Sequence, residues 1–574
     1  MKRIFLFLLL ICISIPAFGQ KTPAKDPYFN KNPKPTQNPE DIVQHDHSDF
    51  FGVDPLLYDG NRYFKGNVQF NNKGSIINAD LVIVYEDRKF IKAIGNVVLK
   101  NPDGSIITAE EMEYDGETQK GIARKNVVLQ DPKQTIKTDI LYYDRISNQA
   151  YFNTGGTITT AESTIYSKTA TYFTNTRLID LSGDVGINTT DYKIDGSNIK
   201  QNQNTGVANF TGPTTITNKK NPANKVYTES GTYNMQTKEV YLNKNSKIYY
   251  NGKTLTGDKL YFNQITGFGT GKGNVVLRDP KENRYIKGDY GEIYEKIDSA
   301  MITGNAYAVR ILEKDSMYFS AERIITFQKL DSLLAKKSYL RAYKKARFYK
   351  SNAQARADSM SFNETDGILR LNVKPILWSG AKQVTGDLIN AYFDTKKEFI
   401  DSLKVVNNAF AISKVDSLNI KDEFHQVKGK LMNVYYENNN IKVATVVGNA
   451  QAITYADDQN EKTKEVERIG VTLTACGTIE ALFEENTVQI LSCKIASQNN
   501  VYPMSFISKE ERFFPDFNYN TKDRIKKWQD ILVDSPNYPE VVYESDNGLF
   551  NAAKAEVDKI KAAEEAKKPK RERK

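Results

Sequence analysis

The chain is poor in the side chains on which most enzyme and metal sites depend. Its 574 residues include only three histidines and three cysteines. His45 and His47 are spaced like two metal ligands but have no evident third, and His425 stands alone, so incidental surface histidines are the better interpretation. The sequence shows no Gly-rich phosphate loop, nucleophile elbow or paired-cysteine metal motif. We therefore expect no catalytic residue, no metal site and no cofactor, and predict that the protein is not an enzyme.

Long apolar runs are also scarce, and the clearest one lies at the N-terminus. Two basic residues precede an apolar run from Ile4 to Ile15, which is too short to span a bilayer. Small residues at Ala17 and Gly19 then predict a signal peptide cleaved between Gly19 and Gln20, the alternative being an uncleaved anchor. An exported chain of this kind is expected in the periplasm or at an envelope surface.

An excess of one charge sign is nearly absent from the body of the chain. The formal net charge is +9, but the signal segment and the Lys-rich C-terminal tail carry most of the excess. Nucleic-acid binding would require a basic stripe with stacking aromatics, so no nucleic-acid partner is expected. One basic stretch runs from Lys336 to Lys350. It is either a solvated, longer connection within one repeat or a patch that meets anionic head groups or phosphates.

Removal of the signal segment leaves two cysteines, Cys476 and Cys493. They lie symmetrically about Glu484 and Glu485, so a tight hairpin with its tip at Leu482–Thr487 would place them in a non-hydrogen-bonded cross-strand pair. Since an oxidising compartment permits a disulfide there, we predict a bridge that pins the last hairpin. The alternative is a pair of buried thiols.

What the chain does contain is a repeated phrase: a small residue, an acid, a short apolar–polar alternation, an aromatic and a polar turn. Its copies are Ala79-Asp80 with Tyr85, Ala109-Glu110 with Tyr114, Thr138-Asp139 with Tyr143, Thr228-Glu229 with Tyr233, Gly257-Asp258 with Phe262, Gly288-Asp289 with Tyr294, Ala321-Glu322 with Phe327, Ala357-Asp358 with Phe362, and Gly386-Asp387 with Tyr392. A recurrence of about 30 residues indicates a stacked, repetitive architecture. The period-two alternation predicts strands rather than helices.

A second phrase follows each turn. Its strongest copies are Gly95-Asn96-Val97-Val98-Leu99, Lys125-Asn126-Val127-Val128-Leu129 and Gly273-Asn274-Val275-Val276-Leu277. An active site needs one constellation of acids, whereas these acids recur in nearly every unit. We therefore interpret the first phrase as a corner in which the acid faces outward and the aromatic closes the sheet before the turn.

The order of these features divides the chain into five parts. They are a signal peptide at 1–19, a flexible linker at 20–49, β-repeats at 50–500, a C-terminal cap at 501–548 that covers the last open strand, and a charged helical or disordered tail at 549–574. Within the cap, Lys522 to Val533 shows one apolar side and predicts a short amphipathic helix, with Trp528 as a docking residue.

The alternation of the two phrases resembles the OstA-like (LptA) family of periplasmic lipopolysaccharide-transport proteins over about residues 60 to 500. The resemblance implies an all-β, elongated antiparallel β-jellyroll in which two sheets form a V with an apolar, lipid-binding interior. It also implies end-to-end strand pairing with other jellyroll proteins of this pathway and an outer-membrane barrel partner. The sequence does not indicate which strand face lines the groove.

The length of the chain departs from a single unit of that family. We expect several jellyroll modules fused in one chain, with about 40 strands shared between two sheets. The predicted function is a non-enzymatic, lipid-binding bridge that carries lipopolysaccharide or a related lipid toward the outer membrane. The alternatives are a structural or adhesive β-repeat surface protein and a β-solenoid enzyme acting on polysaccharide.

Overall fold

The computed structural model describes residues 44–532, except positions 73, 103, 131, 133, 145, 174, 395–398, 416–421, 439, 460–462, 464 and 485–486. The predicted signal peptide with its cleavage between Gly19 and Gln20 lies outside the described residues. So do most of the expected linker, the end of the expected cap and the expected tail at 549–574. The chain divides into two compact units, the first ending at Asn251 and the second beginning at Gly252.

Unit 1 contains twenty strands among its described residues. They are β1 Gln44–His47, β2 Phe50–Val53, β3 Arg62–Asn72, β4 Ser75–Tyr85, β5 Phe90–Lys100, β6 Ile106–Asp115, β7 Lys120–Gln130, β8 Gln134–Asp144, β9 Gln149–Phe152, β10 Gly156–Thr160, β11 Ser163–Ser167, β12 Thr169–Phe173, β13 Leu178–Thr189, β14 Tyr192–Asn202, β15 Val207–Phe210, β16 Thr214–Asn218, β17 Lys225–Thr228, β18 Ser230–Asn234, β19 Glu239–Lys244 and β20 Ser246–Tyr250.

Unit 2 contains another twenty in the part that the structure describes. They are β21 Lys253–Gly257, β22 Lys259–Asn263, β23 Phe268–Asp279, β24 Arg284–Tyr294, β25 Ser299–Thr303, β26 Tyr307–Ile311, β27 Ser316–Ser320, β28 Arg323–Leu330, β29 Lys336–Lys350, β30 Ala353–Asn363, β31 Ile368–Asn372, β32 Ile376–Ser379, β33 Lys382–Thr385, β34 Leu388–Phe393, β35 Ile400–Lys414, β36 Phe424–Glu437, β37 Asn440–Gln459, β38 Val466–Glu484, β39 Thr487–Lys494 and β40 Gln498–Pro503.

Helical structure in the described residues is confined to short 3-10 turns. These are Tyr58–Gly60, Glu86–Arg88, Glu295–Ile297, Glu510–Arg512 and Trp528–Leu532. The predicted all-β antiparallel class is therefore confirmed.

Each unit consists of two antiparallel sheets that share their long strands. Strand β8 shows how: its N-terminal half pairs with β10, and its C-terminal half pairs with β9. Sheet 1A is formed by β1, the C-terminal halves of β3, β5, β7 and β13, the N-terminal halves of β4, β6, β8 and β14, and β10, β11, β16, β17 and β20. Sheet 1B is formed by the other halves with β2, β9, β12, β15, β18 and β19.

Unit 2 repeats this arrangement. Sheet 2A ends on β40 and includes β21, β26, β27, β32 and β33, whereas sheet 2B ends on β39 and includes β22, β25, β28, β31 and β34. The long strands β23, β24, β29, β30 and β35 to β38 contribute one half to each sheet. Each unit is thus a two-sheet β-jellyroll, in which one chain segment after another crosses from one sheet to the other.

The ordered strands begin earlier in the chain than the sequence predicts. Strand β1, Gln44–His47, lies within the expected linker at 20–49, yet it pairs with β3. The ring of His45 lies 4.6 Å from that of Phe64 and 5.2 Å from that of Phe70. The linker prediction is wrong for these residues, because a β3 edge and two aromatic rings hold a segment whose composition shows no apolar period.

The path of the chain after β40 also differs from the predicted one. We expected the segment from 501 to cover the last open strand, but residues 504–532, here called the strap, run back across the outer face of sheet 2A. Of the helix predicted from Lys522 to Val533, the described residues form only the 3-10 turn Trp528–Leu532. Trp528 docks as expected, with its ring stacked on Tyr318 at 5.2 Å. Tertiary contacts with the sheet, not local periodicity, set the shape of this segment.

Candidate functional site: the corners, the inward face and the open edges

Corners join the two sheets, and Gly95 with Asn96 forms a representative one. Both residues have a left-handed backbone conformation, with φ of 80° and 43°. They lie at the register shift between Ile94 and Val97, where β5 passes from sheet 1B to sheet 1A. Asn96 Nδ2 donates a hydrogen bond of 2.9 Å to Asp80 Oδ2. A Cβ atom at Gly95 would lie 2.4 Å from that oxygen. Glycine at this position therefore avoids both a steric conflict with Asp80 and the strain of a left-handed backbone.

The acid of the first phrase meets the asparagine of the second at one corner after another. Amide-to-carboxylate hydrogen bonds join Asn67 to Asp49 (3.0 Å), Asn126 to Glu110 (2.9 Å), Asn274 to Asp258 (3.2 Å), Asn305 to Asp289 (2.9 Å) and Asn408 to Asp387 (3.0 Å). The backbone reinforces the contact, since Asp258 N donates to Gly273 O over 2.9 Å. The two phrases are halves of one motif.

This pairing was not predicted from the sequence. Acid and asparagine are separated by 16 residues at four corners, those of Asn96, Asn126, Asn274 and Asn305. A constant spacing of an amide and a carboxylate could have revealed it. The pairing supports a structural role for the acids that form it, because each of them is engaged with its own corner.

Asp358 differs from the other corner acids. Its side chain is buried, and desolvation raises the pKa of the carboxyl to about 6, with nearby Lys344 lowering and Glu322 raising it. Oδ2 has no hydrogen-bond partner within the described residues. The left-handed pair at this corner is Val373 and Lys374, so the usual asparagine amide is replaced.

The structure decides which strand face is inward. Phe319 and Phe348 of sheet 2A meet Phe362 and Phe393 of sheet 2B, with ring centroids 5.4 Å apart for Phe319 and Phe362 and 6.3 Å apart for Phe348 and Phe393. Rings that meet across the space between two sheets must lie on their inward faces. The periodicity of each strand marks two faces but cannot say which one meets the opposite sheet.

The inward face is apolar and buried in both units. In unit 1 its positions beside the corners are Val68, Ala79, Val97, Ala109 and Val127, none more than 8% exposed. Protein atoms therefore fill the middle of the stack. An acyl chain would enter this region only where the two sheets part.

At the N-terminal edge of unit 1 the inward face becomes accessible. Phe64 contacts Phe70 across the two sheets, and Phe51 extends this cluster, stacked 5.8 Å from Phe64. Phe51 is 62% exposed and Val53, two residues on, is 60% exposed. The inward row thus ends in accessible apolar side chains.

The C-terminal edge of unit 2 shows the same change. Leu491 of β39 continues an inward row through Ala481, Val434 and Leu403. The row is buried at Leu403, Val434 and Ala481, whereas Leu491 is 41% exposed. Accessible apolar surface is therefore present at the edge that unit 2 offers to solvent.

Both edges also carry unpaired backbone. Among the described residues, β1 and β2 pair with β3 alone, and β39 and β40 pair with β38 alone. The outer sides of these four strands present free N–H and C=O groups, which can accept a further strand.

Cys476 and Cys493 are joined as a disulfide, with Cα atoms 6.0 Å apart. They are not the directly opposed pair that the hairpin symmetry predicted, because Cys493 lies opposite Ile479 and Cys476 lies opposite Ala450. The hairpin pairs Glu484 with Thr487, so its centre lies one residue beyond the predicted centre, and a register shift between Leu482 and Phe483 adds to the offset. The bridge lies where β38 changes its partner from β39 to β40. Its oxidation in the exported protein stays a prediction.

The basic stretch forms strand β29, so the expectation of a longer connection is wrong. Its lysines have acidic partners: Lys337 lies 2.7 Å from Asp366, and Lys350 lies 3.1 Å from Asp315. Arg347 is buried beneath the strap. Ion pairs within the fold account for most of this charge, so the structure gives no support to a patch for head groups.

The histidines are dispersed and hold no shared ligand set. In the described parts of the chain no three His, Cys, Asp or Glu side chains are arranged to hold a metal ion. No helix among the described residues has the length and apolar character needed to cross a membrane.

Corner-joined sheets with apolar inward faces define a repetitive antiparallel β-jellyroll. Residues 40–197 match a family model described as OstA-like protein, and this part of the chain is OstA-like, as its motifs predicted. The family is a non-enzymatic, periplasmic β-jellyroll family of lipopolysaccharide-transport type. No curated protein matches the chain significantly.

Proposed function

We propose that the protein is an exported, periplasmic lipid-binding protein that carries lipopolysaccharide toward the outer membrane along its inward faces. The observation that carries the proposal is the inward apolar row of each unit, which is buried within the unit and ends in an exposed side chain, Phe51 in unit 1 and Leu491 in unit 2. Apolar side chains on an exposed inward face favour contact with acyl chains over water. The protein performs no chemical reaction in this role.

The unpaired edges suggest how the protein joins its partners. Strand addition at β1 and β2, or at β39 and β40, would continue both sheets into another jellyroll. The exposed inward side chains at these edges would then meet those of the partner. We propose OstA-like jellyroll proteins as partners at these edges, with an outer-membrane barrel protein as the final acceptor.

Photo-crosslinking at neighbouring positions tests the groove. Phe51 and Leu491 point inward, whereas Phe50 and Ile490 lie on the opposite face and are similarly exposed, at 53% and 54%. A photoreactive residue at Phe51 or Leu491 should capture lipopolysaccharide in cells, detected by immunoblot and mass analysis. The same residue at Phe50 or Ile490 should not. Capture confined to Phe50 and Ile490, or equal capture at all four positions, would refute the groove.

Depletion separates the proposal from an adhesive surface protein. Loss of a transporter should mislocalise lipopolysaccharide and weaken the outer-membrane barrier. Cells that keep lipopolysaccharide correctly localised and the outer-membrane barrier intact after depletion would contradict the transport role.

A further inference from the structure

The strap covers an outer sheet face that is unusual because several of its polar side chains are buried. Neighbouring strands of sheet 2A place Gln354, Trp378, Gln383 and Gln426 there, and each is at most 4% exposed. Buried amides are costly unless their hydrogen bonds are satisfied. The strap satisfies them, and it does so mainly with its backbone.

Two glutamines bind the strap in the same way. Gln426 Nε2 donates to Arg512 O over 2.8 Å, and its Oε1 accepts from Phe514 N over 3.0 Å. Gln383 Nε2 donates to Asn518 O over 2.6 Å, and its Oε1 accepts from Asn520 N over 2.8 Å. Each side-chain amide thus bonds a carbonyl and the N–H two residues later, the pattern by which one strand binds another.

Further along the strap, side chains of the sheet contact both the backbone and a side chain of the strap. Trp378 Nε1 donates to Asn520 O over 3.0 Å, and Arg347 Nη1 donates to Ile531 O over 2.9 Å. Arg356, which is buried, lies 3.0 Å from the Asp523 carboxylate. Backbone contacts fix the path of the strap, and this ion pair fixes its register.

Aromatic and aliphatic side chains of the strap fill the spaces between these polar contacts. Four aromatic side chains of the strap pack on three apolar residues of the sheet, Phe410, Ile412 and Phe424. The four are Phe513, Phe514, Phe517 and Tyr519. Ile525 and Ile531 are at most 4% exposed. The segment therefore has the features of a bound extended peptide: main-chain recognition with side-chain anchors at intervals.

We propose that the outer face of sheet 2A is a peptide-binding groove, and that residues 509–532 occupy it as a ligand in cis that can be exchanged for the same segment in trans. The groove recognises an extended, aromatic-rich chain through side-chain amides that mimic a strand edge. This inference is independent of the lipid-transport role.

The experiment uses the full chain with a protease recognition sequence inserted after Ser508, where Ser508 and Lys509 are exposed. The folded protein is cut and mixed with a fluorescein-labelled synthetic peptide of residues 509–532, and binding is followed by anisotropy and gel filtration. The labelled peptide should enter the cut protein and not the uncut one. Unfolding of the cut protein, or failure of the peptide to enter it, would overturn the proposal.

Backbone-modified peptides test main-chain recognition without altering the protein. N-methylation at Phe514 or Asn520 removes a donor to a glutamine and should weaken binding at least tenfold. N-methylation at Asp516 is the control, since its N–H makes no hydrogen bond within the described residues. Equal binding by all three peptides would show that the groove does not recognise the backbone N–H groups of Phe514 and Asn520.

Protein variants provide a second measurement. Gln383→Ala with Gln426→Ala should weaken binding of the labelled peptide, whereas Gln236→Ala, at an exposed position of unit 1, should leave it unchanged. Circular dichroism of the uncut variants checks that the sheets remain. Unchanged binding by the folded double variant would contradict the assignment of these two amides.

Discussion

At the residue scale, the corner shows how two short phrases act as one. Glycine and asparagine supply consecutive left-handed conformations, and the acid 16 residues earlier accepts the asparagine amide. Each part was visible in the sequence, and the outward direction of Asp80 was expected correctly. The contact between the phrases was not, since periodicity describes one strand at a time.

Substitution of Gly95 by alanine should destabilise unit 1 by about 2 kcal/mol, because a left-handed residue with a Cβ costs ~1–2 kcal/mol and the Asp80 contact is crowded. Gly186→Ala is the matched control, since a Cβ there meets no atom within 4 Å. Urea unfolding of both variants measures the difference. Equal stabilities would show that the corner does not require glycine.

Asp358 should make stability fall as the pH rises from about 4 to about 6. Its folded pKa is raised above the unfolded value, so the folded state holds the proton more tightly over this window. Asp358→Asn removes this pH dependence. The free energy of unfolding of the variant should exceed that of the wild type by about 1 kcal/mol at about pH 4.5 and by about 3 kcal/mol at about pH 7.5. Urea unfolding at the two pH values checks this. A constant difference between the proteins would argue against a buried, protonated carboxyl.

At the element scale, strand identity followed from the sequence, but strand partnership did not. Alternation predicted β4 to β8 correctly because each strand carries its own pattern. It could not show that each long strand is divided between two sheets. The strap is a clearer case: its aromatics suggested a cap, yet contacts with residues far away in the sequence, such as Phe410, Ile412 and Phe424, determine where they pack.

The disulfide can be tested at this scale. A non-reduced proteolytic digest of the exported protein should contain one linked pair of peptides bearing Cys476 and Cys493. Replacing both by alanine should lower stability by about 3 kcal/mol, given a closed loop of 17 residues. Recovery of both thiols as free, alkylated cysteines would eliminate the bridge.

At the scale of the whole molecule, the proposed transport function depends on the inward faces and the edges, not on any single residue. Each unit contributes an apolar row of the same kind. At the edges formed by β1 and β2 in unit 1 and by β39 and β40 in unit 2, that row is exposed beside backbone that has no strand partner among the described residues.

Charges placed at the C-terminal edge should disrupt assembly there. Val488→Lys with Val501→Lys puts two cations on edge strands β39 and β40, which disfavours strand addition. Co-purification of jellyroll partners should fall, while the control Ile146→Lys, an exposed apolar site in unit 1, should leave it intact. Undiminished co-purification of the edge variant would exclude this edge as the interface.

The sequence by itself determined the strands, the turns and the corner residues, because these depend on side chains and backbone preferences within a few residues. Tertiary structure alone decided which face is inward, which acid meets which asparagine, and where the strap lies. Those outcomes depend on contacts between segments far apart in the chain, and hydrophobic alternation carries no information about the partner that a face will meet.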